Sequence, residues 1–209
     1  MTRRAVSRKT PGSSKRGGKK DSRTAGKRIF DVAADLFYRE SIRSVGVETI
    51  VKQADVSKIS LYRSFDSKDE LIVAYLDRRN SEYWDMIDRL LAKKRDEPRA
   101  RLRALIDYVA RRSTSRGYRG CPFINYTAEF PEASHPGHRI VEKNKQEMRR
   151  RLLAFANAIA TPNSRQLADT LFLLIEGAYA SSQTLGGRKG PAAMLSAAAD
   201  ALIDGQLRQ

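Results

Sequence analysis

The most regular pattern of apolar and polar positions begins just after residue 45. Val47, Ile50, Val51 and Ala54 recur at intervals of three and four, which predicts a helix of about two turns with one buried face. Because so short a helix buries only one narrow stripe, it must pack against neighbouring elements to be stable.

A sharp turn and a second short helix follow this stripe. Asp55 stands where the chain must turn, and Asp adopts the left-handed backbone region more readily than most residues. Val56 then returns to the core, and Ser57 is a suitable N-cap for a helix in which Leu61 and Phe65 face inward. The pattern therefore predicts two short helices joined by a tight turn.

The outer face of the second helix is polar and cationic. It carries Lys58, Ile59, Ser60, Tyr62, Arg63 and Ser64. This composition is typical of the recognition helix in a helix-turn-helix unit. Paired short helices with a polar outer face also occur in ordinary helical proteins, so spacing alone leaves both interpretations open.

Two longer helices flank the pair. The first is predicted to begin near Ser22 or Thr24 and to continue to about Glu40, and its buried stripe comprises Ile29, Val32, Ala33, Leu36 and Phe37. The other begins after the capping sequence 66–70 and continues to about Lys94. We expect this second helix to link the DNA-reading part of the chain to the rest.

The remainder of the sequence also has helical patterns, and no strand pattern or repeat interrupts them. Helices are predicted over residues 98–112, 121–130, 139–160, 164–185 and 191–207, with Pro and Gly at most of the breaks. The predicted fold class is all-α, with an N-terminal three-helix helix-turn-helix domain over residues 22–80 and a C-terminal helical domain over residues 81–209.

Residues 56–71, VSKISLYRSFDSKDEL, resemble the signature of the tetracycline-repressor (TetR) family of bacterial transcriptional regulators. The residues that fall at the family's spacing are Leu61, Tyr62, Phe65, Ser67, Lys68 and Leu71. The similarity covers residues 24–75, and beyond them it rests on architecture. The family often has Gly, which favours a left-handed backbone, where this chain has Asp55 and Ser41.

The resemblance implies a ligand-responsive homodimeric repressor that binds double-stranded DNA and releases a palindromic operator when a small molecule binds the C-terminal domain. It also implies a linker helix that moves on ligand binding, and a four-helix dimer interface formed by the last two helices of each copy. Those helices are rich in small residues: Ala178, Ala180, Ser181, Ser182, Ala192, Ala193, Ala197, Ala198, Ala199 and Ala201. No cofactor is implied.

The helix-turn-helix interpretation assigns roles in DNA binding. Lys58, Ser60 and Arg63 are the candidates for reading base edges, and Ile59 for contacting a thymine methyl group. The candidates for phosphate contacts, which position the domain without specifying sequence, are Arg28, Thr49, Tyr62 and Lys68.

A set of aromatic residues in the C-terminal domain is the candidate lining of a ligand cavity. It comprises Trp84, Tyr108, Phe123, Tyr126, Phe130, Phe155 and Phe172. Aromatic residues at helical spacing are equally typical of a core, and only the resemblance favours a cavity. Glu176 lies on the same face as Phe172 and has three open interpretations: a counter-charge for a cationic ligand, a hydrogen-bond partner across a dimer, or part of a solvated stripe.

Charge is concentrated at the N-terminus. Residues 1–28 hold eleven Lys and Arg and one acid, so they carry +10 of the formal net charge of +16. Residues 1–21 are predicted to be a disordered basic arm, either a solubility tail or expression remnant or a segment that adds salt-dependent phosphate contacts. The arm also defines an alternative function, a basic protein that binds nucleic acid without sequence preference.

Catalytic, metal and membrane roles have little support. Cys121 is the single cysteine, which excludes an internal disulfide, and no apolar run approaches the roughly 18 residues of a membrane span. No signal peptide is evident, so the cytoplasm is the expected compartment. The spacing of Cys121, Glu132, His135 and His138 fits no closed zinc site, and Cys121 suits a buried structural thiol better than a redox sensor. Without a motif for catalysis, we expect no enzyme.

Overall fold

A computed structural model describes residues 18–94 and 97–207, with side chains from residue 24 onward. Over these residues the chain is all-α, as predicted, with a short 3-10 helix at Pro191–Met194 and no strand. The α-helices are α1 (Gly18–Arg39), α2 (Val47–Ala54), α3 (Lys58–Tyr62), α4 (Lys68–Ala92), α5 (Pro98–Ser113), α6 (Pro122–Glu129), α7 (His138–Ala158), α8 (Ser164–Thr184) and α9 (Leu195–Leu207).

The first three helices and the start of α4 share one core. Ile29 of α1, Ile50 of α2 and Leu61 of α3 are completely buried there, together with Leu71. Because α3 has only five residues, its position depends on this core more than on its own backbone hydrogen bonds. The three-helix unit therefore holds the outer face of α3 in a fixed orientation.

The turn between α2 and α3 has the predicted geometry. Asp55 adopts the left-handed conformation, with φ 51° and ψ 56°, and its N–H donates to carbonyls at the end of α2. The Ser57 side chain accepts from the N–H of Ser60 and caps α3. Both predictions are confirmed. The left-handed backbone suggested at Ser41 is not found, since Asp55 and Ala160 are the non-glycine residues with positive φ in the described part of the chain.

Several element bounds differ from the predictions. Helix α1 already begins at Gly18 and includes residues 18–21 of the predicted arm, because Lys and Arg are good helix formers and extend a helix past a capping candidate. Residues 1–17 of that arm lie outside the described residues. Helix α3 ends at Tyr62, so Phe65 lies beyond it, half-buried and stacked on Phe30 with ring centroids 6.4 Å apart.

Helix α4 connects the helix-turn-helix unit to the remaining helices. Its Ser67 cap accepts from the N–H of Glu70, and its buried face runs from Leu71 through Leu76 and Trp84 to Leu91. Helices α5 and α7 pack against α4 and against each other. Helix α8 packs on α5 and α7, and α9 packs on α5 and α8. The continuous helix crosses the predicted domain boundary at residue 80. None of the described helices is long and apolar enough to cross a membrane.

Candidate nucleic-acid interface and ligand cavity

The outer face of α3 is open to solvent. Ile59 is 66% exposed and Tyr62 is 46% exposed, while Lys58 and Arg63 are also exposed. Because Leu61 anchors the helix on the opposite side, these four side chains project together. An aliphatic, a phenolic and two cationic side chains, on one short helix and at its C-cap Arg63, can contact both base edges and phosphates.

One acid lies within this cationic face. Glu48 of α2 forms an ion pair with Lys58, with Oε1 and Nζ 2.5 Å apart. The hydrogen bond to Glu48 is the main reason that the pKa of Lys58 is raised above its ordinary value. Lys58 therefore stays protonated, but its charge is partly neutralised until another acceptor replaces Glu48.

The other predicted DNA contacts differ in how accessible they are. Thr49 is exposed, and the half-buried Ser60 shares a hydrogen bond between its hydroxyl and that of Ser57 at 3.0 Å. Arg28 donates from Nη2 to the carbonyl of Asp55 at 3.4 Å. Lys68 is half-buried and donates from Nζ to the backbone carbonyl of Arg43 at 3.3 Å, and burial lowers the pKa of its ammonium group.

The loop between α1 and α2 is tied to the end of α6. Glu129 Oε2 accepts from the Ser41 hydroxyl and from the N–H of Arg43, both at 2.8 Å. The Arg43 guanidinium also pairs with Glu132 at 2.8 Å and lies over the Phe130 ring. This contact, which we call the α6 link, joins the helix-turn-helix unit to the C-terminal helices in addition to α4.

A cavity of about 500 Å³ lies between α4, α5, α7 and α8, next to the beginning of α6. Its volume is in the range of small-molecule sites in proteins. The lining residues are Arg79, Glu82, Tyr83, Asp85, Met86, Arg89, Tyr108, Arg112, Tyr118, Cys121, Pro122, Phe123, Asn144, Lys145, Met148, Glu176 and Tyr179.

Four tyrosines give the cavity walls an aromatic and hydrogen-bonding character. The hydroxyl groups of Tyr83 and Tyr179 lie 3.5 Å apart, and the ring of Tyr83 contacts that of Tyr108. Burial raises the pKa of Tyr83, Tyr118 and Tyr179 above the ordinary value. These phenols therefore remain neutral and can donate hydrogen bonds inside the cavity.

The basic residues of the cavity differ in their partners. Lys145 donates to both carboxylate oxygens of Glu176, at 2.6 and 2.8 Å, and lies 3.8 Å from the Cys121 sulfur. Arg112 donates from Nη1 to the hydroxyl of Tyr108 at 3.4 Å. Glu176 is thus half-buried and paired within its own chain, which disfavours its interpretation as a solvated stripe.

The structure brings three of the eight predicted ligand residues to this cavity: Tyr108, Phe123 and Glu176. The other five, Trp84, Tyr126, Phe130, Phe155 and Phe172, do not line it and are buried or partly buried in the core. Trp84 faces a separate cleft, where Arg151 lies 4.4 Å from its ring centre. Helical spacing shows that a residue faces inward, but not which gap between helices it faces.

Sequence reasoning missed most of the polar lining. Tyr83, Tyr118 and Tyr179 lie on three different segments and meet only in the folded chain, as do Arg112 and Lys145. A usable signal was Tyr179, which follows Glu176 by one helical turn on the face already noted for Phe172. The remaining residues have no distinguishing local pattern.

The residues considered for zinc are engaged elsewhere. His135 Nδ1 accepts from the N–H of Gly137 at 3.2 Å and from the Tyr126 hydroxyl at 2.6 Å, and His138 Nε2 donates to the carbonyl of Phe130 at 2.8 Å. Among the described residues, no group of three or more His, Cys, Asp or Glu is placed to hold a metal ion.

Helices α8 and α9 each present an apolar face to solvent. On α8 this face contains Leu173, which is 68% exposed, with Gly177 and Ala180. Near and along α9, Met194 is 61% exposed, and Ala197 and Ala201 are exposed at four-residue spacing. Ala178, Ala192 and Ala199, in contrast, are buried within the chain. Some small residues of these helices therefore pack inside the chain, and others lie on its exposed surface.

Comparison with known proteins gives matches to both parts of the chain. The family model for bacterial regulatory proteins of the tetR family matches residues 29–75. An uncharacterized HTH-type transcriptional regulator of Mycobacterium tuberculosis is 43% identical over 54 residues, which are 26% of this chain and 27% of that protein. The chain thus spans about a quarter of the length of the curated relatives it matches.

Crystal structures match over nearly the whole length. A TetR-family transcriptional regulator from Streptomyces coelicolor is 29% identical, with a TM-score of 0.78 over 88% of this chain and 89% of that one. The crystal structure described as a tetr-transcriptional regulator from Streptomyces avermitilis is 26% identical, with a TM-score of 0.75 over 87% and 97%. With the helix-turn-helix geometry, these matches show a DNA-binding domain of the tetR family over residues 29–75, in a chain whose overall fold is that of TetR-family transcriptional regulators.

Proposed function

We propose that this protein is a homodimeric, ligand-responsive regulator of transcription, most simply a repressor, that binds a palindromic DNA operator. The observation that carries the proposal is the exposed face of α3, where Lys58, Ile59, Tyr62 and Arg63 project from a helix anchored by buried Leu61. Such a face fits the major groove, which is wide enough to admit an α-helix.

Base reading belongs to Lys58, Ser60 and Arg63 in this proposal, and Ile59 contacts a thymine methyl group. Thr49 and Tyr62 contact phosphates from their exposed positions. Arg28 and Lys68 reach phosphate only by exchanging the backbone carbonyls that they now contact for a phosphate oxygen. That exchange is favourable because an ionised acceptor forms the stronger hydrogen bond.

The dimer forms through α8 and α9. Their exposed apolar faces, which include Leu173, Ala180, Ala197 and Ala201, have no covering element among the described residues. Small side chains allow close approach of helices, and a two-fold axis makes the same face complementary to itself. Two copies of α3 then read two half-sites, which doubles the length of DNA recognised.

The effector binds in the cavity between α4, α5, α7 and α8 and acts through α4 and the α6 link. Phe123 of α6 lines the cavity, and Glu129 at the other end of α6 holds the loop before α2. An effector shifts the population only if it prefers the arrangement in which the two α3 helices do not match the operator spacing. Ligand binding then releases DNA.

Selection of bound duplexes from a random pool at about 150 mM salt tests the regulator proposal, because loose phosphate contacts weaken at that ionic strength. We expect enrichment of an inverted repeat, and we expect the chain lacking residues 1–21 to enrich the same repeat. Binding without enrichment, lost when residues 1–21 are removed, would favour the alternative of a nonspecific basic nucleic-acid binder.

A further inference from the structure

Arg112 is a cation of the cavity that lacks an anionic partner. It is half-buried near the end of α5, and its guanidinium makes one hydrogen bond within the described residues, to the hydroxyl of Tyr108 at 3.4 Å. Among the described residues no carboxylate forms an ion pair with its guanidinium. Most of its five N–H donors are therefore left to solvent or to a ligand.

The other charges that line the cavity are already matched or lie in water. Lys145 is paired with Glu176. Arg79 lies over the rings of Tyr38 and Tyr75 and contacts Glu82 at 3.5 Å, a carboxylate that it shares with Arg78, and its Nε is buried without a hydrogen-bond partner. Asp85 and Arg89 are exposed at the rim, where solvent screens them. Among these interior cations of the described residues, Arg112 is thus the one without an acidic partner, and a bound anion could neutralise it.

The surroundings of Arg112 keep it ionised. A guanidinium is protonated over the whole physiological pH range, and although burial acts to lower the pKa of Arg112, that pKa is raised from its ordinary value. A guanidinium also binds carboxylates with two parallel hydrogen bonds, a geometry that an ammonium group does not offer. The site is therefore suited to an anion and poorly suited to a cation.

The rest of the cavity suits an apolar molecule of moderate size. Phe123 and Met148 are almost completely buried there, and the Tyr83 ring provides a further wall. A volume of about 500 Å³ leaves room for one or two rings or a medium-length chain. The tyrosine hydroxyls provide neutral donors for any further polar atom of the ligand.

We infer that the effector is an organic monocarboxylate, held by Arg112 through its carboxylate and by Tyr83, Phe123 and Met148 through its apolar body. The inference rests on the proposed function in treating this cavity as the effector site. It excludes organic cations as effectors, because Arg112 would repel them and Glu176 is already paired with Lys145.

Calorimetric titration of the full chain with two matched pairs tests this: naphthalene-2-carboxylate against naphthalene-2-carboxamide, and octanoate against octanamide. In at least one pair we expect the carboxylate to bind about tenfold more tightly than the amide of the same shape, since hydrogen bonds to ionised groups are the stronger ones. Equal binding within both pairs, or no binding by any of the four compounds, would overturn the inference.

Substitutions of the adjacent residues Arg111 and Arg112 test which arginine binds the carboxylate. Arg112→Gln should reduce the carboxylate preference to less than about threefold while leaving amide binding unchanged, and Arg112→Lys should keep part of it, because the charge remains but the paired geometry is lost. Arg111→Gln, at an exposed position of the same helical turn, should keep the full preference. A full preference in Arg112→Gln would contradict the assignment, and melting followed by circular dichroism verifies that each variant is folded.

The titration contains no DNA, so the two proposals can fail separately. A carboxylate preference that depends on Arg112, in a protein that selects no operator, would support the site and refute the regulator. Operator selection with no carboxylate preference would support the regulator and refute the carboxylate site. Where both hold, the bound carboxylate should also weaken binding to the selected duplex.

Discussion

At the level of single residues, the ion pair of Lys58 with Glu48 bears on DNA recognition. Glu48 places a negative charge on the surface that must meet phosphates, and DNA must replace it as the partner of Lys58. The exposed pair contributes little to folding, because water screens it. In the proposed mode of DNA binding, the ion pair holds the Lys58 side chain away from nonspecific phosphate contacts until a base acceptor is in place.

Lys58→Ala should therefore change sequence preference and not only affinity. We expect the discrimination between the selected operator and a duplex altered at one half-site position to fall about tenfold, because a base-edge contact is lost. Tyr62→Phe should weaken binding to operator and random duplex equally, since it removes a phosphate contact. Fluorescence anisotropy titrations with both duplexes measure the two ratios.

The control for charge is the double variant Glu48→Gln with Lys58→Ala, which has the same net charge as the unaltered chain. It should lose the same discrimination as Lys58→Ala while recovering part of the nonspecific affinity. If the double variant discriminates normally, the effect of Lys58→Ala comes from the exposed Glu48 charge and Lys58 does not read a base.

Ala160, which lies outside the helix-turn-helix unit, has a strained backbone. Ala160, just after α7, is exposed and has a φ of 56°, a conformation that costs a non-glycine residue about 1–2 kcal/mol. Ala160→Gly should remove this strain at an entropic cost of about 0.5–1 kcal/mol, so a net stabilisation of about 0.5–1 kcal/mol is expected. The melting temperature should rise by about 1–4 °C.

The matched control for Ala160→Gly is Ala154→Gly, at an exposed position inside α7 with ordinary helical geometry. It should destabilise the chain by about 0.5–1 kcal/mol, because Gly is a poor helix former. Opposite signs for the two variants in thermal denaturation would support the strain at Ala160, and a loss of stability in both would contradict it.

At the level of elements, α3 and α6 show how local order depends on distant partners. Helix α3 is too short to be stable alone, and α6 has only eight residues. Each is held by contacts with other helices: α3 by Leu61 in the core, and α6 by Phe123 at the cavity and Glu129 at the α1–α2 loop. The α6 link is therefore a connection between the cavity and the DNA-reading unit that is separate from α4.

Glu129→Gln should weaken this connection measurably. The half-buried carboxylate accepts two hydrogen bonds on one oxygen, and replacing a charged acceptor by an amide should cost about 1 kcal/mol of unfolding free energy. Urea denaturation at fixed protein concentration gives that value, and hydrogen exchange should show faster exchange of the Arg43 amide, which loses its carboxylate acceptor.

Glu132→Gln serves as the control, because it removes the other acidic partner of Arg43 from an exposed position. Both side chains of that ion pair are more than half exposed, so we expect a change below about 0.5 kcal/mol and no change in exchange of the Arg43 amide. An equal effect of the two substitutions would mean that Glu129 contributes no more to stability than the exposed ion pair of Glu132, which would contradict the structural role of the α6 link.

The order and type of these elements could be predicted from sequence because they depend on local signals. The stripe ending at Ala54, the left-handed Asp55 and the Ser57 cap all act within a few residues, and the structure confirms them. The cavity could not be predicted in the same way. Tyr83 and Tyr179 are almost a hundred residues apart, and which inward-facing aromatic residues meet there depends on how α4, α5 and α8 cross.

At the level of the whole molecule, the unmatched surfaces are the cationic face of α3 and the apolar faces of α8 and α9. In the proposed function, the first surface binds DNA and the second binds another copy of the chain. Exposed apolar side chains such as Leu173 and Met194 are unfavourable in water, so a single chain does not explain the apolar faces. Dimerisation and DNA reading are linked, because a single five-residue α3 contacts too few base pairs to select one operator.

Disrupting the helical interface should therefore strongly weaken operator binding without unfolding the chain. Ala201→Arg places a long charged side chain on the exposed face of α9, and Ala154→Arg makes the same substitution at an exposed position of α7. We expect sedimentation to show a dimer for the unaltered chain and for Ala154→Arg, and a monomer for Ala201→Arg, because an interface must desolvate the new charge. The Ala201→Arg monomer should bind a single half-site weakly and lose the cooperative step that the palindrome provides. If Ala201→Arg remains a dimer and binds the operator normally, the interface lies elsewhere, and the apolar faces of α8 and α9 need another explanation.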